Sequence, residues 1–563
     1  MPGLVLGPLL RYVSETEATV WVETDAPCEV RVLGETEPTF EVAGHHYALL
    51  RLEGLEPGST NPYTVELDGE ERWPEPGSDL PPSLIRTLGD GPLDIRFGSC
   101  RVALPNEEPY THSKDRHEDG HEIDALHVLA DEMRRRPPEE WPELLFLLGD
   151  QVYVDEGAPR TRERIRHHRG VGSDPGEEVS DFEEYTWLYE ESWSEPLVRW
   201  LFSTVSVSML WDDHDMSDDW NLSHAWMEEM REKAWWHRRL TDCVMSYWLY
   251  QHLGNLSPRA LDEDEIYRRV RGAGGRDAEE VLREWAEAVS KSGDGSRWSF
   301  CRDFGRTRAI FVDSRAGRVL EEDRRAMVDD EEWQWVVDHA QGDFDHLLIA
   351  TTVPWLLSPG FHALEAWNEA VCAGAWGGAA ARLGEKLRRQ LDFDHWGAFG
   401  ESFAKLRDLL GEIARGERGA APASIVVLSG DVHHAYLAEV DYPRRDGDGA
   451  GAGGDVAASD GAKQAPVYQA VCSPYRNPLD EKERRAIRAG FGRPFTAAAR
   501  RLAAAAGAPD PEIRLHLRDG PCFDNQVAML RIDGRQIEMR LDKTVPGEEN
   551  EHSLETSFVR RLA

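Results

Sequence analysis

The sequence predicts a layered α/β fold, with helices packed on β-sheets, that follows a smaller all-β domain. Residues 1–90 contain short runs of alternating apolar and polar residues separated by Gly, Pro and Asp, which is typical of a β-sandwich. From about residue 93, short apolar β-rich runs alternate with helical stretches, as in layered α/β domains. We therefore assign an N-terminal β-sandwich domain to residues 1–92 and an α/β domain to residues 93–563.

Local patterns predict the individual elements. The predicted strands of the N-terminal domain are ATVWVETD, CEVRVLG and YTVELDGEERW, and PGSTNPY and PEPGSDLPP supply turn residues. The predicted strands of the α/β domain are LDIRFGS, LLFLLGD, STVSVSMLWDD, RAIFVDSR, HLLIATTVPW and ASIVVLSGD. Between them, HEIDALHVLADEMRR and DEEWQWVVDHAQ predict helices, and residues 511–542 predict closing strands that return to the sheet.

Two segments interrupt this alternation. Residues 222–297 are charged and rich in Trp, and they predict a helical insertion that covers one face of the domain. Residues 443–465 are rich in Gly, Ala and Asp, a composition that predicts a disordered loop. An insertion of this size would reshape any binding pocket beneath it, as a lid or as a simple cover.

The charge balance limits the possible partners. The chain has 64 basic and 104 acidic residues, a net charge of −40, and it lacks a basic stripe. Such a chain repels nucleic acid and anionic membranes at long range, which opposes a nucleic-acid-binding function. It also repels free phosphate esters, so a phosphate site here needs a local source of positive charge.

Cysteine usage and the N-terminus indicate the compartment. The seven Cys are scattered and form no CxxC pair, which argues against a disulfide framework or a thiolate zinc site. The N-terminal residues show no basic region, twin Arg or small-residue cleavage site, and no apolar stretch approaches the ~20 residues of a membrane span. We expect a cytoplasmic protein, and the Arg-rich, Lys-poor composition indicates a bacterial one.

Polar side chains follow several of the predicted strands at the points where they end. Cys100 and Arg101 follow LDIRFGS, and Asp150 follows LLFLL. The strands VSVSML and IVVLS lead into WDDHD (211–215) and GDVHH (430–434). Because ligands bind at the carboxyl ends of the strands in open α/β sheets, we expect these side chains to meet in one crevice.

The residue types at these ends suit metal ions. Carboxylates bind hard cations, imidazole binds Fe, Zn or Mn, and thiolate or phenolate suits a softer or higher-valent ion. A carboxylate that bridges two ions ~3.5–4 Å apart forms a site suited to in-line phosphoryl displacement. The ions would also neutralise the repulsion between this acidic chain and a phosphate ester.

Each residue also has a structural alternative. Asp150 with its preceding Gly fits a simple turn, Tyr153 fits core packing, and Cys100 fits a small buried apolar side chain. The DDHD segment fits a helix N-terminus with capping acids. The convergence of all these residues favours the metal site over the separate structural roles.

His214 lies between Asp213, a candidate ligand, and Asp215, a candidate orienting partner. A His held by a carboxylate can stay protonated and donate to a leaving alkoxide, so we predict His214 and Asp215 as catalytic residues. The alternative is that His214 is itself a metal ligand.

The motifs of the chain resemble the PhoD-like alkaline phosphatase/phosphodiesterase family, a branch of the calcineurin-like metallophosphoesterases. In chain order they are FGSCR (97–101), LLGDQVYVDE (147–156), WDDHD (211–215), FVDSRAGRVL (311–320), TTVPWLL (351–357), DHWGAF (394–399), LSGDVHHAY (428–436) and CSPYRNPL (472–479). The resemblance implies a metallophosphoesterase β-sandwich flanked by helices around a centre of two or more metal ions. Common calcineurin-like enzymes have Asp-x-His on the first strand, where this chain has Cys100.

The resemblance also implies ligands and metals. An Fe³⁺-like ion would be held by Cys100, Asp150, Tyr153 and His433, and a second ion, Ca²⁺, by Asp150, Asp213 and Asp431. Asp212, Asp218 and Asp219 could serve additional Ca²⁺ ions. Secreted members carry a twin-Arg signal that is not seen here, and a cytosolic relative could use Mn²⁺ or Zn²⁺ instead.

The predicted function is metal-dependent hydrolysis of phosphate monoesters or diesters. A metal-bound hydroxide would attack phosphorus, His214 would protonate the leaving oxygen, and Arg101 and His434 are candidate phosphate contacts or else salt-bridge and packing residues. The partner would be a small phosphate ester, with no nucleic acid as a structural partner. Two alternatives are a strict phosphodiesterase acting on nucleotides or phospholipid head groups and a catalytically silent metal-binding module.

Overall fold

The fold was obtained as a computed structural model, which describes residues 1–292, 296–442, 464–547 and 552–563. The N-terminal region is built from ten short strands. They are β1 (Leu4–Val13), β2 (Glu17–Thr24), β3 (Glu29–Val32), β4 (Glu35–Pro38), β5 (Phe40–Val42), β6 (His45–Glu53), β7 (Thr60–Pro62), β8 (Val65–Leu67), β9 (Glu70–Trp73) and β10 (Leu84–Arg86). Two four-stranded sheets, ordered β1-β2-β6-β5 and β4-β3-β8-β9, bury an aliphatic core between them. The proposed division near residue 92 falls between β10 and the next strand.

Two larger sheets form the framework of the remaining chain. The first has the order β13-β12-β11-β21-β22-β23 and the second β14-β15-β16-β17-β19-β18-β20. Their strands are β11 (Leu93–Gly98), β12 (Leu144–Leu148), β13 (Ser206–Leu210), β14 (Phe300–Phe304), β15 (Thr307–Val312), β16 (His346–Thr351), β17 (Ser424–Ser429), β18 (Ala435–Asp441), β19 (Val467–Val471), β20 (Arg514–Cys522), β21 (Gln526–Asp533), β22 (Gln536–Val545) and β23 (Ser553–Arg561). The predicted α/β class is therefore confirmed.

The sheets face each other across an apolar layer. Phe146 of β12 meets Phe311 of β15 with ring centroids 4.8 Å apart, and Phe311 stacks on Phe300 of β14. Each fully buried side chain of this size contributes about 2–3 kcal/mol to folding. This layer explains why LLFLL is apolar at every position, since one face packs on the opposite sheet and the other on helices.

Helices cover the outer faces of the two sheets. They are α1 (Ala125–Met133), α2 (Pro159–His168), α3 (Phe182–Trp193), α4 (Pro196–Thr204), α5 (His224–Arg231), α6 (Trp236–Tyr247), α7 (Leu253–Asn255), α8 (Pro258–Glu263), α9 (Glu265–Arg271), α10 (Glu279–Ser292), α11 (Asp330–His339), α12 (Pro359–Cys372), α13 (Gly378–Gln390), α14 (Gly400–Ala414), α15 (Glu481–Gly490) and α16 (Arg493–Ala505). The predicted insertion at 222–297 contains α5 to α10. Of the predicted disordered loop, residues 443–463 lie outside the described residues.

A buried arginine joins the N-terminal region to the rest of the chain. Arg11 of β1 is fully buried and donates hydrogen bonds to the backbone of Val207 in β13 and of Tyr250, and to the side chain of Asn255. Among the described residues, no helix combines the length and apolar character that crossing a bilayer requires.

Candidate metal centre

The carboxyl ends of parallel strands from both sheets meet at one edge, as the sequence predicts. Cys100 follows β11, Asp150 follows β12, and Asp431 follows β17. The Cys100 Sγ atom lies 3.2 Å from Asp150 Oδ2 and 3.5 Å from the backbone oxygen of Asp431. Residues from separate strands, 331 positions apart in sequence, are thus brought into contact.

The backbone at these strand ends is left-handed, which is uncommon for residues other than Gly. The φ angles are 57° at Cys100, 52° at Asp150, 67° at Asp431 and 50° at His433. Gly149 has a φ of 113°, and a Cβ atom there would lie 2.7 Å from the Cβ of Asp212. Strained backbone clusters at functional sites, where the fold turns side chains toward a ligand. Only Gly fits before Asp150, and the sharp turn that follows directs the carboxylate into the crevice.

Four carboxylates crowd together at this edge. Oxygens of Asp150, Asp212, Asp213 and Asp431 lie within 4.8 Å of one another. Asp150 Oδ1, Asp212 Oδ2 and Asp213 Oδ1 are buried and have no hydrogen-bond partner among the described residues. Burial, together with the charge of neighbouring acids, raises the pKa of Asp150 well above its usual value. Buried carboxylate oxygens without hydrogen-bond partners suit a hard cation, which would neutralise their charge.

Arg315 supplies one positive charge to the carboxylate cluster. It lies in the motif FVDSRAGRVL (311–320), but no role was predicted for it from the sequence. Its guanidinium is fully buried and donates to Asp212 at 2.6 Å and to Asp394. It lies 3.4 Å from Asp213 and 3.7 Å from Asp431. Arg315 is shared among these carboxylates, and it leaves the oxygens of Asp150 and Asp212 that have no hydrogen-bond partner among the described residues available to a cation.

His395 also contacts the cluster, and sequence reasoning missed it. Its Nε2 atom lies 3.0 Å from Asp431 Oδ2, and its Nδ1 atom lies 2.8 Å from Glu365 Oε1. A His whose second ring nitrogen binds a carboxylate is the usual arrangement for a metal ligand or for a residue that orients one. The only available signal was its place in the motif DHWGAF.

His214 lies at this edge, but its predicted orienting partner was wrong. Its Nδ1 atom lies 3.0 Å from Asp155 Oδ1, not beside Asp215. Asp215 instead accepts backbone N–H groups from Gln151 and Val152, which fixes the turn after β12. Burial alone would lower the pKa of His214, but the charge of Asp155 and its hydrogen bond raise it well above the usual value.

Two further predicted ligands adjoin the carboxylates. The Tyr153 ring stacks on His214 at 4.2 Å, and its hydroxyl accepts a 3.4 Å hydrogen bond from Asn477. Burial and nearby acidic groups raise the pKa values of Tyr153 and Cys100 well above their usual range, so a cation is needed to ionise either group. Burial, and after it the charge of Lys114, lowers the pKa of His433 to about 3, which leaves the neutral imidazole that metals bind.

The two predicted phosphate contacts, Arg101 and His434, differ in how their side chains are engaged. The Arg101 guanidinium is buried and donates to Asp124 at 2.7 Å and to the backbone oxygen of Ser192 at 2.6 Å. The His434 Nδ1 atom lies 2.6 Å from the backbone oxygen of Val432. Arg101 therefore follows the salt-bridge alternative in this structure, whereas the contact of His434 uses only Nδ1, and its role as a phosphate contact stays a prediction.

A different cation lies near the predicted ligands. Lys114, on the segment between β11 and α1, is partly buried, and its Nζ donates a 2.8 Å hydrogen bond to Asn477 Oδ1. The Asn477 side chain also contacts the Tyr153 hydroxyl, so this amide connects the Lys114 ammonium to a predicted metal ligand. The segment HSKDRHEDGH carried no recognisable motif, and only its position after the first α/β strand pointed to the site.

Comparisons with known proteins support the fold and the resemblance. The model of the family "PhoD-like phosphatase" matches residues 127–275, and that of "Domain of unknown function (DUF7800)" matches residues 1–85. A solved structure described as "Structure of PhoD" is 12% identical with a TM-score of 0.58, covering 99% of this chain and 92% of that chain. The search of curated proteins found no match. The resemblance predicted from the motifs is confirmed.

Proposed function

We propose that this chain, whose residues 127–275 match the PhoD-like phosphatase family, is a phosphoric ester hydrolase with a metal-dependent mechanism in which His214 is the general acid. The observation that carries the proposal is the position of an imidazole, held by Asp155, beside buried carboxylates whose oxygens lack partners. The substrate is a small phosphate monoester or diester.

The metal ligands follow from the cluster and the resemblance together. Asp150, Asp213 and Asp431 would hold one ion, Ca²⁺ in the family pattern. The second ion, Fe³⁺ in that pattern, would share Asp150 and be held by Cys100, Tyr153 and His433, and Mn²⁺ or Zn²⁺ would also suit this donor set. Bound ions of this kind lower the pKa of an attacking water and neutralise phosphoryl oxygens.

His214 acts by holding and delivering a proton. The carboxylate of Asp155 accepts the Nδ1–H, which fixes the orientation of the ring and leaves Nε2 to carry the second proton. That proton passes to the leaving oxygen as its bond to phosphorus breaks. Stacking on Tyr153 limits rotation of the ring, so the proton donor stays in place between turnovers.

Lys114 takes the role that the sequence suggested for Arg101. Its ammonium is a local positive charge in a chain of net charge −40, and its anchor Asn477 also contacts Tyr153. The ammonium lies on a segment outside the strands, so it can approach a phosphate from the solvent side. A charge-assisted hydrogen bond of this kind contributes about 1.5–3 kcal/mol to binding.

Hydrolysis of p-nitrophenyl phosphate and bis-p-nitrophenyl phosphate, with and without chelator, tests the proposal. We expect chelator-sensitive turnover that Asp150→Asn abolishes, and Asp90→Asn, on an exposed acid, is the matched control. The ratio of the two rates distinguishes monoesterase from diesterase activity. Absence of turnover with Ca²⁺, Mn²⁺, Zn²⁺ and Fe would contradict the proposal.

A further inference from the structure

A cavity of about 300 Å³ lies between helices α12, α14 and α16 and the chain that joins α16 to β20, and we call it the helix cavity. Its wall on α12 extends from Pro359 to Glu369, and its wall on α14 extends from Gly400 to Arg407. At about 1.5 Å per helical residue, these walls make a slot about 10–15 Å long. The surface that faces the void is mostly apolar. An elongated apolar slot suits a linear alkyl chain better than a compact ring system.

His362 contributes a buried polar group to the lining. It is 7% exposed, and its ring lies 4.7 Å from the ring of Phe403. Its Nδ1 atom is enclosed beside Gly397, where an added Cβ would lie 2.9 Å away, and has no hydrogen-bond partner among the described residues. The Nε2 atom also lacks a partner among them but, unlike Nδ1, keeps accessible surface. Because an N–H at Nδ1 would be buried without an acceptor, the ring carries its hydrogen on Nε2 and presents a donor to the cavity.

Arg500 lines the same cavity from α16 and is exposed. In the part of the chain that the structure describes, its guanidinium makes no ion pair or hydrogen bond, although the chain has 104 acidic residues. Burial, and after it the charge of Arg500, lowers the pKa of His362 to about 4. The guanidinium therefore lies close to a neutral imidazole, and the two groups together offer a cation and an N–H donor.

The acids of the lining are already engaged. Glu369 accepts the first backbone N–H of α14 with both carboxylate oxygens, at 3.0 Å. Glu512 pairs with Arg407 at 3.0 Å, and Asp510 accepts the backbone N–H of Glu512 at 2.9 Å. These contacts leave Arg500 as the cation of the lining that can take an anionic ligand.

We propose that the helix cavity binds a linear carboxylic acid, at a site separate from the carboxylate cluster. The alkyl chain would lie along the apolar slot, and the carboxylate would accept from His362 Nε2 and pair with Arg500, as charge-assisted hydrogen bonds require. Glu365, three residues after His362 on α12, holds His395 of the cluster and does not line the cavity. The proposal does not depend on the proposed metal chemistry.

Calorimetric titration of the full chain with decanoate, below its micelle concentration, tests the site. We expect one saturable site per chain with a Kd below about 1 mM, and at least tenfold weaker binding of butanoate, which keeps the carboxylate but buries fewer methylene groups. An excess of inorganic phosphate should leave the affinity unchanged. Absence of saturable binding, or equal affinity for the two acids, would overturn the proposal, as would competition by phosphate, which would place decanoate at the carboxylate cluster.

Two variants test the polar end of the site. Arg500→Gln is expected to weaken decanoate binding at least tenfold, and the matched control is Arg501→Gln, on an adjacent exposed arginine that does not line the cavity. His362→Phe keeps the ring but removes the donor, and it should weaken binding at least fivefold. Equal affinity of Arg500→Gln and Arg501→Gln would overturn the proposal.

A third variant tests the apolar slot. Ala404→Leu adds a branched side chain to the α14 wall and is expected to abolish saturable binding of decanoate. Ala498→Leu makes the same change at an exposed alanine of α16 outside the lining and should bind normally. Unchanged affinity in Ala404→Leu would show that decanoate lies elsewhere and would overturn the proposal.

Discussion

His214 is joined to Asp155, 59 positions earlier in the chain, by contacts of 3.0 and 3.1 Å from its Nδ1 atom to the two carboxylate oxygens. Asp155 also accepts the backbone N–H of Asp218 at 3.0 Å, so the carboxylate links the turn after β12 to the turn after β13. The orientation of the proposed proton donor therefore depends on the register of two strands.

Replacing His214 with Gln is expected to lower kcat by about 10²–10⁴, the usual contribution of general acid catalysis. The loss should be larger for phenyl phosphate than for p-nitrophenyl phosphate, because p-nitrophenolate leaves without a proton. Steady-state kinetics with both substrates measure this difference, and His224→Gln is the matched control on an exposed His. Equal losses for the two substrates would contradict the role of proton donor.

Replacing Lys114 with Met should raise KM and weaken inhibition by inorganic phosphate, each about tenfold, with a smaller effect on kcat, because a charge-assisted hydrogen bond contributes about 1.5–3 kcal/mol. Lys114→Arg should recover part of the loss because it keeps the charge. Lys482→Met, on an exposed lysine of α15, is the control. Unchanged phosphate inhibition in Lys114→Met would remove this residue from the site.

Replacing Gly149 with Ala should destabilise the fold more than replacing Gly34 with Ala. Both glycines have positive φ, so each substitution carries a backbone cost of about 1–2 kcal/mol. Only at Gly149 does the new methyl group meet another residue, at 2.7 Å from the Asp212 Cβ, whereas nothing lies within 4 Å at Gly34. Urea unfolding of the two variants measures the difference, and equal losses would contradict the clash.

His45 should make stability depend on pH. Its Nε2 lies 2.8 Å from Glu183 and its Nδ1 lies 3.0 Å from Glu23. Burial opposes protonation, but these two carboxylates outweigh it and raise the His45 pKa to about 9. Because the folded pKa exceeds the unfolded value, the contribution is complete below about pH 6.5 and is lost as the pH rises through about 9.

The His45 contribution is expected to be about 1–3 kcal/mol after allowance for the partial exposure of Glu183. Urea unfolding of the wild type and of His45→Gln at pH 6 and pH 9.5 measures it. The difference between the two proteins should shrink at the higher pH, and a difference that grows with pH would contradict the assignment. His46→Gln, on the adjacent residue, is the matched control.

The sequence by itself determined the α/β class, the strand ends and the acids that follow them. Asp150 and Asp431 could be predicted because a buried strand that ends in Gly-Asp is a local pattern, and the exit of parallel strands at one sheet edge is a general rule. Cys100 could be placed at the same edge by its strand end, whereas its role as a ligand and that of Tyr153 came from the family resemblance, which rests on the same local motifs.

Only the tertiary structure decided which side chains complete the site. Asp155, rather than the adjacent Asp215, holds His214, and Arg101 turns to Asp124 instead of the cluster. Arg315 and His395 reach the carboxylates from the second sheet and from a loop that precedes α14. Sequence spacing cannot give these contacts, because the direction of a side chain at a strand end depends on turns and packing set by residues more than a hundred positions away.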